Sequence, residues 1–279
     1  MTISDWLGRA KARLEASGCP DPAIDARWIA EEALNMTRAE LKFESDRSIA
    51  HGQLVQLESM LDRRAAGEPV QYILGAADFM GLRFEVTPDV LIPRQDTETL
   101  AEAALIDLRG RPGGPALLDL CAGSGCVGLS LASLAPDARV TLSDISREAL
   151  DVVKRNAHAL GVRVELRHGD LFAAVGRDRF DVIASNPPYI PRQQLSELQR
   201  EVRFEPQLAL DGGADGLDFY RRITQDAGSH LNAGGSIYLE VGVGQAEAVL
   251  ALLKAHLSCL DAGTIRDLNG IDRVVFAKI

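Results

Sequence analysis

At 279 residues, with 46% hydrophobic and 25% charged side chains, the chain is long enough for one large and one small globular domain. Its composition excludes disordered and fibrous classes. Lys and Arg number 30 against 40 Asp and Glu, a net charge of −10. That balance argues against naked duplex nucleic acid as a partner, because phosphate binding needs a basic face, whereas a basic protein partner is compatible with it.

No stretch approaches the roughly 18 apolar residues of a membrane helix. The segment from Met1 to Leu7 carries an early acid instead of a long apolar run, so no signal peptide is expected and the cytoplasm is the expected compartment. Cys19, Cys121, Cys126 and Cys259 show neither a paired C-x-x-C nor zinc spacing with His. They read as small apolar residues of a reducing compartment, and no metal is expected.

In chain order, the first third is helical. Ile3, Leu7, Ala10 and Leu14 fall at helical spacing, as do Ile24, Trp28 and Leu34, and Thr37 to Glu40 has the form of a capping box. Leu54, Leu57 and Leu61 mark a further amphipathic helix that should stop near Gly67 and Pro69. The period then changes. Leu82, Phe84 and Val86 alternate with polar residues, and Val90-Leu-Ile92 follows after Thr87-Pro-Asp89, which predicts a β-hairpin formed by those two runs. Asp96 to Leu108 is again helical.

From Ala116 strand and helix alternate. Strand-like runs at 116–120, 140–142, 164–166, 180–184 and 237–241 are separated by helical stretches at 127–134, 147–160, 217–227 and 245–257. This order predicts a mostly parallel sheet with helices on both faces. The tail differs, with strand-like runs 264–267 and 273–277 joined at Asn269-Gly270, an antiparallel hairpin. A parallel sheet closed by such a hairpin fits the α/β class I methyltransferase fold, Rossmann-like with seven strands, better than a plain dinucleotide fold. The expected organisation is a helical domain over 1–68, a β-hairpin linker over 69–95 and the α/β domain over 96–279.

Leu117-Leu-Asp-Leu-Cys-Ala-Gly-Ser-Gly-Cys-Val-Gly128 places a glycine-rich turn between a strand and a helix. Gly123 and Gly125 let the backbone turn sharply and approach a ligand closely. Gly123-x-Gly125-x-x-Gly128 also satisfies the dinucleotide fingerprint, so a nicotinamide enzyme is an alternative at this point. Asp144 follows the second strand about 20 residues later, where a carboxylate can accept from both ribose hydroxyls. It can equally cap the helix at Arg147 together with Ser143 and Ser146. After the third strand, Asp170-Leu171-Phe172 offers an acid for an adenine amino group and two apolar residues to sandwich the ring.

The fourth strand is followed by Asn186-Pro187-Pro188-Tyr189. An amide nitrogen is a poor nucleophile because its lone pair is delocalised into the carbonyl, so an acceptor of methyl groups must have its NH₂ held with the lone pair turned outward. The Asn186 side-chain oxygen and the Pro187 carbonyl can accept from the two N–H groups. The prolines restrict the backbone and pre-place these acceptors, and Tyr189 offers a flat face to a planar group. The contribution is positioning for in-line transfer, with no catalytic base required. The motif fits a nucleobase amine or a glutamine or asparagine side chain.

With these residues on view, the sequence resembles the HemK/PrmC family of peptide chain release factor N5-glutamine methyltransferases over most of its length. Gly67-Glu-Pro-Val-Gln-Tyr-Ile-Leu-Gly75 resembles the family's interdomain segment, and Val90-Leu-Ile-Pro-Arg-Gln-Asp-Thr-Glu98 its Leu-Ile-Pro-Arg-Pro-Asp-Thr-Glu signature. Asn186 to Ile190, Arg203 to Pro206, Leu210 to Gly213, Gly216 to Asp218 and Asp267 to Arg273 are further family-like stretches. The resemblance implies S-adenosylmethionine as cofactor and the glutamine of the Gly-Gly-Gln loop of class I release factors as substrate. It also implies N-terminal helices that help hold that protein. By position, the cofactor would lie against Cys121, Ala122, Gly123, Ser124, Gly125, Asp144, Leu171 and Asn186. Asn186 to Tyr189 would hold the glutamine, and Arg94 and Thr97 would border the pocket. Two departures stand out: Gln95 replaces the usual Pro, and Cys121-Ala122 stand where Gly-Thr is common. A Cβ at Cys121 crowds the turn unless its φ is negative.

The alternatives at this stage are an adenine-N6 DNA methyltransferase, which needs base flipping and a basic groove, and a non-catalytic docking protein. No direct nucleic-acid or membrane partner is expected, and a monomer is the default.

Overall fold

The computed structural model describes residues 1–279. The chain divides into two compact units, Met1–Ala76 with Gln199–Phe204, and Ala77–Leu198 with Glu205–Ile279.

The first unit holds α1 (Ile3–Ala16), α2 (Pro22–Leu34), α3 (Arg38–Phe43), α4 (His51–Ala65) and α5 (Val70–Leu74). Two capping boxes start α1 and α3, Thr2 with Asp5 and Thr37 with Glu40, each satisfying two otherwise unpaired amides. Trp6, Leu14, Ile29, Leu57 and Leu61 form its core. On α2 the buried stripe is Ala26, Ile29, Ala30 and Ala33, while Ile24 and Trp28 of the expected stripe face solvent. The small alanines let α1 and α2 approach, and they carry a weaker periodic signal than the two bulky residues that stay outside.

The second unit begins with a hairpin of β1 (Ala76–Phe79) and β2 (Leu82–Glu85). The expected pairing of 82–86 with 90–92 is therefore corrected. The turn lies at Met80-Gly81, both at positive φ, and Met80 at +51° gives no glycine-type signal of it. Residues 69–95, expected as a linker, are thus shared out. Val70 and Ile73 of α5 pack with the helices of the first unit, and Phe79 and Phe84 enter the core of the second.

After α6 (Glu98–Arg109) comes a seven-stranded sheet of β3 (Ala116–Leu120), β4 (Arg139–Asp144), β5 (Glu165–His168), β6 (Phe180–Ser185), β7 (Leu231–Glu240), β8 (Asp261–Arg266) and β9 (Asp272–Lys278). Its order is β5-β4-β3-β6-β7-β9-β8, with β9 antiparallel to both neighbours and the rest parallel. The helices α7 (Cys126–Leu134), α8 (Arg147–Leu160), α9 (Asp218–His230) and α10 (Ala246–His256) complete the unit. Alternate side chains of one strand feed two cores: Leu117 joins α6 and α7 on one face, and Leu118 and Leu120 join α9 and α10 on the other. Strand order reverses between β3 and β6, so the loops leaving their carboxyl ends diverge and open a crevice.

Candidate active site

That crevice is a cavity lined by loops following β3, β4, β5 and β6, walled further by 89–94 and by Pro206, Leu208 and Phe219. Cys121, Ala122, Gly123, Ser124, Asp144, Asp170, Leu171, Asn186 and Pro188 line it, as do Arg94 and Thr97.

The glycine loop is held from several sides. Ala122 N donates to Ser143 O (3.0 Å), Gly125 N to Ala122 O (2.8 Å), and Gly123 N to the Asp144 carboxylate (2.8 Å). The buried Asn156 of α8 donates to Ser124 O and Glu85 O and accepts from Glu85 N, tying the loop to β2. Cys121 has φ +64°, the left-handed region that costs a residue with a Cβ roughly 1–2 kcal/mol. The crowding foreseen at the first-glycine position is real, and the loop's other bonds hold it. A β-branched residue tolerates this region still less. Cys121→Val is therefore expected to lower unfolding free energy by about 2 kcal/mol in urea titration and to weaken cofactor binding about tenfold by calorimetry.

Asp144 accepts Gly123 N on one oxygen and Ser146 N (2.9 Å) on the other. Ser146, not Asp144, caps α8 through Ala149 N. Burial raises the Asp144 pKa against these backbone donors. Asp170 is half-exposed and paired with Arg222 at 2.6 Å.

Four expected residues do not line the cavity. Phe172 is buried and stacked on His230, with ring centroids 4.4 Å apart and planes at 4°, so of the two apolar residues after Asp170 only Leu171 lines the wall. Gly125 serves as N-cap of α7, where any Cβ would meet Leu129 and Val153 at 3.0 Å. Pro187 is buried. Tyr189 packs against the β6–β7 core, and its hydroxyl donates to Glu240 Oε1 (3.5 Å). The loop that carries them is pinned: Ile190 N donates to Leu210 O (3.0 Å), Gly212 N to Ile190 O (2.9 Å) and Gln245 Nε2 to Tyr189 O (2.9 Å). Asn186 Nδ2 donates to Thr97 Oγ1 (3.3 Å), which leaves its side-chain oxygen free to accept.

Sequence reasoning missed the buried acids around this loop. Asp119 is 2% exposed, lines the cavity and accepts from Gly128 N (2.7 Å), and burial pushes its pKa up to about 7. Glu240 is 1% exposed, with Oε2 unpartnered, and burial likewise pushes it to about 7. Glu205 receives Ile92 N (3.0 Å) and the Arg94 guanidinium, fixing the 89–94 wall. Arg273, buried in the tail signature, pairs with Asp96 (3.0 Å) and Asp267 (3.3 Å), so two sequence signatures meet through one ion pair. Asp119 and Glu240 each sit within or at the end of an apolar strand, where a lone acid does not stand out as a site residue.

Comparison with known proteins gives concordant results. Residues 5–75 match the PrmC N-terminal domain and 101–202 the methyltransferase small domain. The release factor glutamine methyltransferase of Geobacter sulfurreducens is 44% identical over 279 residues, covering 100% of this chain and 97% of its own. That of Moorella thermoacetica is 42% identical, covering 99% and 98%. In solved structures, a Pyrococcus furiosus methyltransferase aligns with TM-score 0.52 at 19% identity over 72% of this chain and 90% of its own. The hMettl16 catalytic domain aligns with TM-score 0.58 at 13% identity over 91% and 90%, and both share the class I methyltransferase fold. From its motifs, its sheet and its full-length relatives, the chain belongs to the release factor glutamine methyltransferase family.

Proposed function

We propose that this protein transfers a methyl group from S-adenosylmethionine to the side-chain amide nitrogen (N5) of the glutamine in the Gly-Gly-Gln motif of class I peptide chain release factors. The observation that carries the reading is Asn186, at the carboxyl end of β6, with its amide nitrogen engaged by Thr97 and its side-chain oxygen free beside the glycine loop.

The residues present fit the cofactor. Asp89, Asp119, Asp144 and Asp170 line the cavity, a carboxylate set suited to a ligand that carries ribose hydroxyls, an ammonium and a sulfonium. Asp144 retains lone pairs beyond its two backbone bonds for the ribose, and Leu171 lies against the expected adenine position. When bound, S-adenosylmethionine supplies an electrophilic methyl on a positively charged sulfur. Asn186 Oδ1 and the Pro187 carbonyl hold the two N–H groups of the substrate amide, which turns its lone pair outward. Tyr189 keeps the loop in place through Glu240 and Gln245. The proton lost from nitrogen after transfer passes to solvent, since the methylated amide is strongly acidic until it is neutral.

The N-terminal helices, residues 1–68, are assigned to docking the release factor, and Ile24, Trp28 and Phe43 are exposed there for contact. The protein acts as a monomer, in the cytoplasm, without direct nucleic-acid contact. No helix is long and apolar enough to cross a membrane. The names of the relatives favour this reading over the adenine-N6 alternative. Intact-mass analysis and peptide mapping of a class I release factor, incubated with this protein and S-adenosylmethionine, test it. One added methyl on the Gly-Gly-Gln glutamine is expected; an unmodified glutamine in the presence of measurable cofactor binding would sink the substrate assignment.

A further inference from the structure

The Asn186 side chain is oriented by Thr97, so whatever places Thr97 places the acceptor. Thr97 closes a tight helical turn, Gln95–Thr97, that runs straight into α6. A threonine in that position ordinarily caps the helix through its side chain, which needs an extended backbone. Thr97 has φ −67° and ψ −19° and makes no side-chain cap. It is 2% exposed, and its Oγ1 instead accepts Asn186 Nδ2 at 3.3 Å.

The turn is held at both ends. Arg94 before it is bound to Glu205, and Glu98 after it accepts Met80 N at 2.6 Å. Between them lies Asp96, whose Oδ2 meets Arg273 Nη2 of β9 at 3.0 Å. Arg273 is a fixed anchor. It is 7% exposed, its Nε and Nη2 donate to Asp267 Oδ2 at 3.4 and 3.3 Å, and its Nη1 donates to Val241 O at 3.4 Å. Asp267 is in turn held by Asn269 N and Ile271 N. A glutamine at position 95 leaves the first φ of the turn free, where a proline would fix it at about −65°. The ion pair supplies that restraint from outside the turn.

We propose that Asp96 and Arg273 are positioning residues: their ion pair fixes the Gln95–Thr97 turn and, through Thr97, the orientation of the Asn186 amide towards the substrate. The inference rests on the glutamine-amide reading given above. An acceptor displaced by an ångström is costly to the transfer step. The cofactor wall is built mainly by the glycine loop and the loops after β4 and β5. The effect therefore belongs to the rate and not to cofactor affinity.

The test is single-turnover methylation of a release factor by the full chain, with calorimetry of S-adenosylmethionine binding alongside. The chains compared are wild type, Asp96→Ala, Asp96→Asn, Thr97→Val, Gln95→Pro, Asn186→Ala and the doubles of Asp96→Ala with Thr97→Val and with Gln95→Pro. Asp96 is altered instead of Arg273 because Asp267 stays to neutralise the buried guanidinium. Asp96→Ala is expected to be about tenfold slower, with cofactor affinity within about threefold of wild type. Asp96→Asn, which can still accept from Arg273, recovers part of the rate. Thr97→Val is slowed about as much, and combining it with Asp96→Ala costs little more, since both act on the same amide. Gln95→Pro alone keeps the wild-type rate, because Arg94 is already extended (φ −104°, ψ 145°), as a residue before proline must be. It recovers most of the rate lost in Asp96→Ala. A wild-type rate in Asp96→Ala overturns the proposal, as do losses that multiply when Asp96→Ala and Thr97→Val are combined. So does a fully active Gln95→Pro that restores nothing to Asp96→Ala. If Asp96→Ala does not fold, Asp96→Asn combined with Thr97→Val decides by the same non-additivity. Full activity of Asn186→Ala overturns the glutamine-amide reading and this proposal with it, whereas a slow Asn186→Ala beside an unaffected Asp96→Ala overturns the proposal alone.

Discussion

Asn186→Ala is expected to lower kcat by between about 100- and 1,000-fold while S-adenosylmethionine affinity stays within about threefold of wild type. The Asn186 side chain contributes little area to a wall built mainly by the glycine loop, Asp144 and Leu171, so the ground-state cofactor loses little. What is lost is an acceptor needed most where the amide lone pair has left conjugation, when the N–H groups become better donors. An interaction that strengthens only towards the transition state appears in kcat and not in binding. Rapid-quench measurement of methyl transfer, paired with calorimetry, separates the two. Equal losses in rate and in cofactor affinity would assign Asn186 to the cofactor instead.

A second large effect is expected at Gly216, which never touches the cavity. Its φ is +78°, and a Cβ there would lie 2.3 Å from Tyr189 O and 2.6 Å from Gln245 Nε2, the group that holds that carbonyl. Neither can yield without moving the Asn186–Tyr189 loop. Gly216→Ala is expected to cost about 2–3 kcal/mol of stability in urea unfolding and about 100-fold in single-turnover rate, the usual consequence of a displacement on the ångström scale. Gly234→Ala is the control, because Gly234 has a similar φ of +74° but open space around it. It shares the backbone strain and spares the loop. If both variants lost rate alike, packing of Gly216 against Tyr189 would not be what places the motif.

The parts of this molecule that sequence reveals are those encoded over short distances. Runs such as Leu117 to Leu120 and Val182 to Ala184 announce buried parallel strands because both faces are covered. The Asn-Pro-Pro-Tyr motif is legible because its four residues are adjacent in the chain. The β1–β2 hairpin was mispaired since Met80 takes a left-handed conformation without a glycine's signal, and Val86 and Val90 are buried outside any strand. Phe172 looks like half of an adenine sandwich until His230, 58 positions on in the chain, is seen stacked against it. Glu240 is the instructive case: at the end of Ile-Tyr-Leu-Glu-Val a lone acid reads as the polar edge of a strand. Only the fold brings the Tyr189 hydroxyl to it.

Residues Gln199–Phe204 belong to the first unit although they are embedded in the sequence of the second. Within that unit Arg64, 3% exposed, binds Asp25 locally and Glu201 across 137 positions. During synthesis the helices of residues 1–76 can therefore collapse around Trp6 and Leu57 with Arg64 neutralised by Asp25. They receive their last piece only after some 120 further residues have left the ribosome, at the usual elongation pace of about 5–20 residues per second. A nascent chain stalled before residue 199 would carry the helical unit with that seat empty, which makes limited proteolysis of ribosome-bound intermediates a way to watch the first unit finish last.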